Sequence, residues 1–219
     1  MVDINYDYIE EYIRGILQED SDKLKEIKDY GNSNHIPIVC PEVGQFIKVL
    51  LKISDAKNIL EVGTAIGYSS LIMAEATSSD TKITTIEKKE DMFKIAKKNI
   101  NQSKYRERIR IIEGDAREII SELEQKYDFI FLDAAKGHYL DFFNECSRVL
   151  RKGGVILSDN VLYKGMVASD ELVVKRKKTI VKRMRNYLEY ISNLDGYITS
   201  VLPLGDGVSI TYKEEGDNE

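Results

Sequence analysis

The 219-residue chain predicts an α/β fold: one domain on a seven-stranded, mostly parallel sheet that ends in an antiparallel C-terminal hairpin. Three observations lead to this expectation. From residue 57 onward, short apolar runs alternate with helical stretches, the rhythm of strands joined through crossover helices. The runs are apolar at successive positions, as expected for strands covered on both faces. The last two runs are separated by only five residues, Pro203-Leu-Gly-Asp-Gly207, too few for a parallel crossover.

Along the chain, Ile9, Ile13, Ile16 and Leu17, then Leu24 and Ile27, recur at helical spacing among charges and predict one or two amphipathic helices. Asn32-Ser-Asn-His35 reads as a polar turn, so His35 is a loop residue rather than a ligand. Pro41 suits the first position of a helix that Val43, Phe46, Ile47, Leu50 and Leu51 continue. Residues 1–52 therefore form N-terminal helices ahead of the sheet. Strands are expected at 58–62, 82–86, 109–112, 127–132 and 154–158, with helices over 67–77, 89–102, 116–124 and 138–150. A long helical stretch over 170–193 precedes the hairpin strands at 197–202 and 208–212, and residues 214–219 read as a frayed tail.

Composition excludes several classes. A formal charge of −5 argues against a generally basic coat, although not against local patches. No apolar run is long enough to span a bilayer, and the N-terminus has no basic-then-apolar leader pattern. Cys40 and Cys146 are isolated, without CxxC spacing or paired histidines, so neither a disulfide framework nor a zinc site is expected. A soluble, reducing, cytoplasmic setting follows as the expectation.

The chemistry gathers at the strand ends. Glu61-Val-Gly-Thr-Ala-Ile-Gly-Tyr-Ser-Ser70 leaves the first strand and opens a helix, with Gly63, Gly67 and Ser69 positioned against a ligand at the strand's carboxyl end. The spacing is G-x-x-x-G; the middle glycine that makes room for a pyrophosphate in G-x-G-x-x-G is missing. Glu61 adds negative charge, which suits a cationic ammonium or sulfonium better than a diphosphate. Glu87, at the end of the second strand, can accept from ribose hydroxyls, and Asp115-Ala116 after the third can meet a base. Asp115 taken alone reads equally well as a helix cap.

The fourth and fifth strands end in Asp133-Ala-Ala-Lys136 and Ser158-Asp159-Asn160. Adjacent strands place Asp133, Asp159 and Asn160 in one crevice, a hard-oxygen set suited to Mg2+ or another divalent cation rather than zinc. Asp159-Asn160 without Asp133 would read as a turn. An ion held there can bind two neighbouring oxygens of a substrate and acidify a hydroxyl. Lys136, if not an ordinary surface lysine, could take the proton or stabilise the oxyanion. His138 receives no role, and packing accounts for Tyr68 and Tyr139 as well as pocket lining does.

Together, Ile59–Ser70, Phe131-Leu-Asp-Ala-Ala-Lys136, Gly153-Gly-Val-Ile-Leu-Ser-Asp-Asn160 and Leu202-Pro-Leu-Gly-Asp-Gly-Val208 resemble the metal-dependent O-methyltransferases of the catechol and caffeoyl-CoA type. The resemblance implies a Rossmann-like methyltransferase fold using S-adenosyl-L-methionine. It also implies metal ligation by Asp133, Asp159 and Asn160, deprotonation assisted by Lys136, ribose binding by Glu87, and a homodimer. Asp133–Tyr139 and Asn160–Val167 are most similar to bacterial tRNA 5-hydroxyuridine methyltransferases, which implies an anticodon-loop partner and a 5-methoxyuridine product. O4 and O5 of 5-hydroxyuridine chelate an ion as catechol does, so a small-molecule phenol stays open as the substrate.

Lys175-Arg-Lys-Lys-Thr-Ile-Val-Lys-Arg-Met-Arg185 carries seven positive side chains and no acid. With Ile180, Val181, Met184 and Leu188 turned inward, it predicts a helix with a basic outer side, either a solvated face or a phosphate-binding surface. An NAD-dependent oxidoreductase is disfavoured by the glycine spacing and the lack of a hydride-transfer constellation. A non-catalytic nucleoside-binding module is the remaining alternative.

Overall fold

A computed structural model describes residues 4–215. Three helices come first: α1 (Asp7–Ile16), α2 (Asp22–Ser33) and α3 (Pro41–Ser54). The alternating part follows as β1 (Asn58–Val62), α4 (Tyr68–Ala76), β2 (Lys82–Glu87), α5 (Glu90–Asn101), β3 (Ile109–Glu113), α6 (Ala116–Glu122), β4 (Tyr127–Leu132), α7 (Tyr139–Val149) and β5 (Leu150–Ser158). Helix α8 (Lys178–Ser192) leads into β6 (Tyr197–Leu202) and β7 (Val208–Lys213). The sheet order is β3-β2-β1-β4-β5-β7-β6. Strands β1 to β5 pair in parallel, and β7 runs antiparallel to both β5 and β6. The expected hairpin is present, with β7 inserted next to β5 so that β6 forms the edge.

The two-sided apolar strands separate into two cores. Ile59, Ile83, Phe129, Phe131 and Leu157 pack with Leu24, Ile27, Val43, Ile47 and Leu71 on the face covered by α2, α3 and α4. Their neighbours in sequence, Leu60, Val62, Ile130, Leu132 and Ile156, face Ile120, Phe143, Met184, Tyr187 and Ile191 of α6, α7 and α8. Alternation along each strand sends successive side chains to opposite faces, and here both faces are dry.

Several boundaries differ from the sequence expectation by a residue or two, and those of α8 and β5 by more. The predicted helix over 170–193 is broken into single 3₁₀ turns at Asp170–Leu172 and Lys175–Lys177 before α8 begins. Strand β5 begins at Leu150, four residues before Gly154, because Leu150 pairs with Tyr127 ahead of a register shift. Glu214, assigned to the expected frayed tail, is held by its amide, which donates to the Gly196 carbonyl at 2.9 Å; residues 216–219 of that expected tail lie outside the described residues. Helix α1 buries none of its residues. Polar tethers hold it instead: Arg14 donates to both carboxylate oxygens of Glu42, and Asn5 Nδ2 donates to the Pro203 carbonyl. Among the described residues no helix is long and apolar enough to cross a membrane.

Candidate active site

The loop between β1 and α4 is shaped by backbone that turns where a side chain would not fit. Gly63 has φ +101°, and a Cβ there would lie 2.0 Å from the Asp133 carbonyl oxygen. That close approach joins the glycine loop to the end of β4. Gly67, with φ +84°, starts α4. Under the loop lies Glu61, fully buried, whose Oε2 accepts from Thr85 Oγ1 at 2.6 Å and from Ser70 Oγ. Its Oε1 is buried with no partner. Burial pushes the Glu61 carboxyl up to about 7, against the opposing pull of hydrogen bonds from Ser69, Ser70 and Thr85. A buried acceptor lacking a donor is costly on its own, and a cationic ligand group above the loop would complete it.

Glu87 reaches across the same loop. Its Oε2 accepts from the Ala65 amide and its Oε1 from the Lys89 amide, both at 2.8 Å. These bonds orient the carboxylate, which keeps further lone pairs for hydroxyl donors. Asp115 behaves as the capping alternative anticipated: it accepts from the Arg117 amide at the start of α6 and is paired with the side chains of Arg117 and Lys88. Those hydrogen bonds, the Arg117 side chain's first, hold it well below the usual carboxylate range. Ala116 is buried behind it.

The fourth and fifth strand ends converge as expected. Leu132 is in register with Ser158, and the Asp159 amide donates to the Leu132 carbonyl at 3.0 Å, so Asp133 and Asp159 lie side by side. Asp159 is fixed from behind by Tyr139, whose hydroxyl donates to its carbonyl at 2.7 Å. Asn160 has φ +58°, a strained left-handed turn for a residue with a Cβ. Both carboxyls are pushed up, by burial first and, at Asp159, next by the charge of Asp133. Two carboxyls sharing one crevice are neutralised by a held proton or by a cation, and two carboxylates with an amide oxygen form a hard donor set that fits a divalent ion. Among the described residues no group of three or more His, Cys, Asp or Glu side chains is arranged to hold a metal; the third donor here is the amide of Asn160.

Lys136 sits at the rim of this crevice, in a 3₁₀ turn (Lys136–His138) ahead of α7. Its Nζ donates to Asn160 Oδ1 at 2.7 Å, lies 3.8 Å from Asp206 Oδ2, and stands 5.2 Å from the centre of the Tyr163 ring. Asp206 belongs to the β6–β7 turn, and no role was read for it from sequence. The motif Leu202–Val208 was the available signal, but only tertiary pairing explains it. The Val161 and Leu162 amides donate to the Gly207 and Asp206 carbonyls, fastening the Asn160 loop to that turn.

The site therefore combines a glycine loop under a buried acid, an oriented acid on the next strand, and a carboxylate pair with a lysine at its edge. The O-methyltransferase family model matches residues 16–214, and the chain belongs to that family. Specifically, it is an S-adenosylmethionine-dependent O-methyltransferase of the caffeoyl-CoA type. Caffeoyl-CoA O-methyltransferase from Populus kitakamiensis is 29% identical over 86% of this chain and 85% of its own. A Staphylococcus aureus crystal structure provisionally described as a caffeoyl-CoA O-methyltransferase has TM-score 0.88 and 35% identity, covering 94% of this chain and all of that one (100%). An O-methyltransferase from Bacillus cereus in complex with SAH has TM-score 0.83 and 28% identity, covering 94% and 97%.

Proposed function

We propose that the protein transfers the methyl group of S-adenosylmethionine to the 5-hydroxyl of 5-hydroxyuridine in the anticodon loop of tRNA, with the help of a divalent cation such as Mg2+. The observation that carries the metal-assisted part is the Asp133–Asp159 pair, Asp159 buried and Asp133 half-buried, with Asn160 beside it. A divalent ion held by these three would polarise two neighbouring substrate oxygens and acidify one hydroxyl. The chain's own residues do the rest. Glu61, Gly63, Gly67 and Ser69 shape the seat of the methionine end, while Glu87, Asp115 and Ala116 line the ribose and base. Asp133 stands between the two ligands, since its backbone touches the Gly63 loop and its carboxylate faces Asp159. Lys136 Nζ holds or takes the hydroxyl proton as the S–CH3 bond breaks and the O–CH3 bond forms.

The RNA reading is supported by the basic segment 175–182. Lys177 Nζ lies 5.6 Å from the centre of the same Tyr163 ring that Lys136 faces, so the positive segment adjoins the mouth of the crevice. The curated relatives named for caffeoyl-CoA favour a second reading, a small vicinal-diol phenol. Incubation with undermodified tRNA, S-adenosylmethionine and Mg2+, followed by nucleoside mass analysis, tests the two. 5-Methoxyuridine formed from 5-hydroxyuridine is the expected product; its absence, with turnover of catechol-type phenols, would establish the second reading instead.

A further inference from the structure

We propose that Lys175, Arg176, Lys178 and Lys182 form a phosphate-binding surface that grips a single-stranded RNA loop and presents its base to the carboxylate pair. The inference rests on the RNA reading above and deepens it. The seven cations of the segment are not equivalent once folded. Arg185 is spent on the protein: it donates to the Met166 and Val167 carbonyls and pairs with Asp170. Arg183 donates to the Gly137 carbonyl at 3.1 Å, and Lys177 lies over Tyr163. The remaining four are exposed, and among the described residues no salt bridge engages them. Four cations left unpaired on an acidic protein form a local positive field with no internal partner to satisfy it.

Position and shape select the occupant. The 3₁₀ turn of 175–177 is joined to the crevice through Tyr163, which lies between Lys177 and Lys136. Val181 and Met184 of the same helix are buried and Ile180 is half-buried, so α8 offers no apolar stripe to a bilayer, as a membrane-surface helix would. A surface of exposed cations without an inserted apolar face fits a polyphosphate chain, and a loop supplies unpaired bases that can enter a cleft without opening a duplex.

The test compares the wild type with two combined variants: Lys175→Gln/Arg176→Gln/Lys178→Gln/Lys182→Gln, and a charge-matched control, Lys52→Gln/Lys97→Gln/Lys98→Gln/Lys104→Gln. The affinity of each for undermodified tRNA is measured from 50 to 200 mM salt, and S-adenosylmethionine affinity is measured by calorimetry. The first variant is expected to lose at least tenfold in tRNA affinity and to flatten the log K against log[salt] slope by about 3, roughly 0.7 per lost phosphate contact. Its cofactor affinity should stay within twofold, and the control should bind tRNA like the wild type. An unchanged slope in the first variant, an equal loss in the control, or binding of the wild type to phosphatidylglycerol vesicles in preference to tRNA would overturn the proposal. Failure of the wild type to methylate 5-hydroxyuridine would count against the substrate reading alone, because the binding measurements do not depend on turnover.

Discussion

Replacing Gly63 with alanine tests how the glycine loop and the carboxylate crevice are joined. Two independent costs can be read from the backbone. The residue has φ +101°, where a side chain is strained by about 1–3 kcal/mol. The new methyl would also start 2.0 Å from the Asp133 carbonyl oxygen, a backbone atom that can yield only if β4 or the loop moves. Overpacking of this kind costs about 1–3 kcal/mol, so the total expected loss is about 2–6 kcal/mol. Gly196→Ala provides the reference: φ is +76° but nothing lies within 4 Å, leaving strain as its only cost. Urea denaturation of both variants gives the difference, and calorimetric titration with S-adenosylmethionine reports the loop. Gly63→Ala should be the less stable by at least 1 kcal/mol and should bind cofactor at least tenfold more weakly. If the two variants were equally stable and Gly63→Ala bound cofactor normally, the argument from close approach would be refuted.

Four further outcomes follow, three from the site and one from the tether of α1. Asp159→Ala should abolish methyl transfer while leaving S-adenosylmethionine binding within a few-fold, as read by turnover and calorimetry; full activity in this variant, or after chelation, would remove the metal-assisted mechanism. Glu61 makes the ligand-free protein lose stability as pH rises. Its carboxyl stays protonated in the fold where the unfolded chain has already ionised, so stability falls between about 4.5 and about 7 and the full cost remains above that range. At 1.36 kcal/mol per pH unit this is about 3 kcal/mol, and denaturation at pH 5 and 8 should show a shallower fall in Glu61→Gln. The raised Asp133 and Asp159 carboxyls give a related dependence under the proposed metal binding: Mg2+ should raise the melting temperature more at pH 8 than at pH 5.5, because an ion held by both would require both to be deprotonated. Arg14→Ala should cost about 1–3 kcal/mol in urea denaturation. It leaves the carboxylate of Glu42 buried, but the lost guanidinium was itself partly solvated.

The sequence by itself determined the layered α/β order, the crossover rhythm and the pairing of the final strands. Those depend on local periodicity and on a connection length, and both are written linearly. It also placed Asp133, Asp159 and Asn160 on neighbouring strand ends, because strand order in a doubly wound sheet decides which loops meet. Tertiary structure alone decided how each charge is used. Glu61 reads as a charge near the loop, yet burial beneath it, with Ser70 and Thr85 as donors, holds its proton into the neutral range. Asp115 also caps α6 and is paired with Arg117. The run 175–185 reads as one basic helix, but Arg183 and Arg185 turn back onto backbone carbonyls and leave four cations exposed. Asp206, 70 residues beyond Lys136 in the chain, comes within 3.8 Å of it only because β7 inserts next to β5. Long-range partners set solvation and pairing, and no local pattern of residues encodes which distant group will arrive.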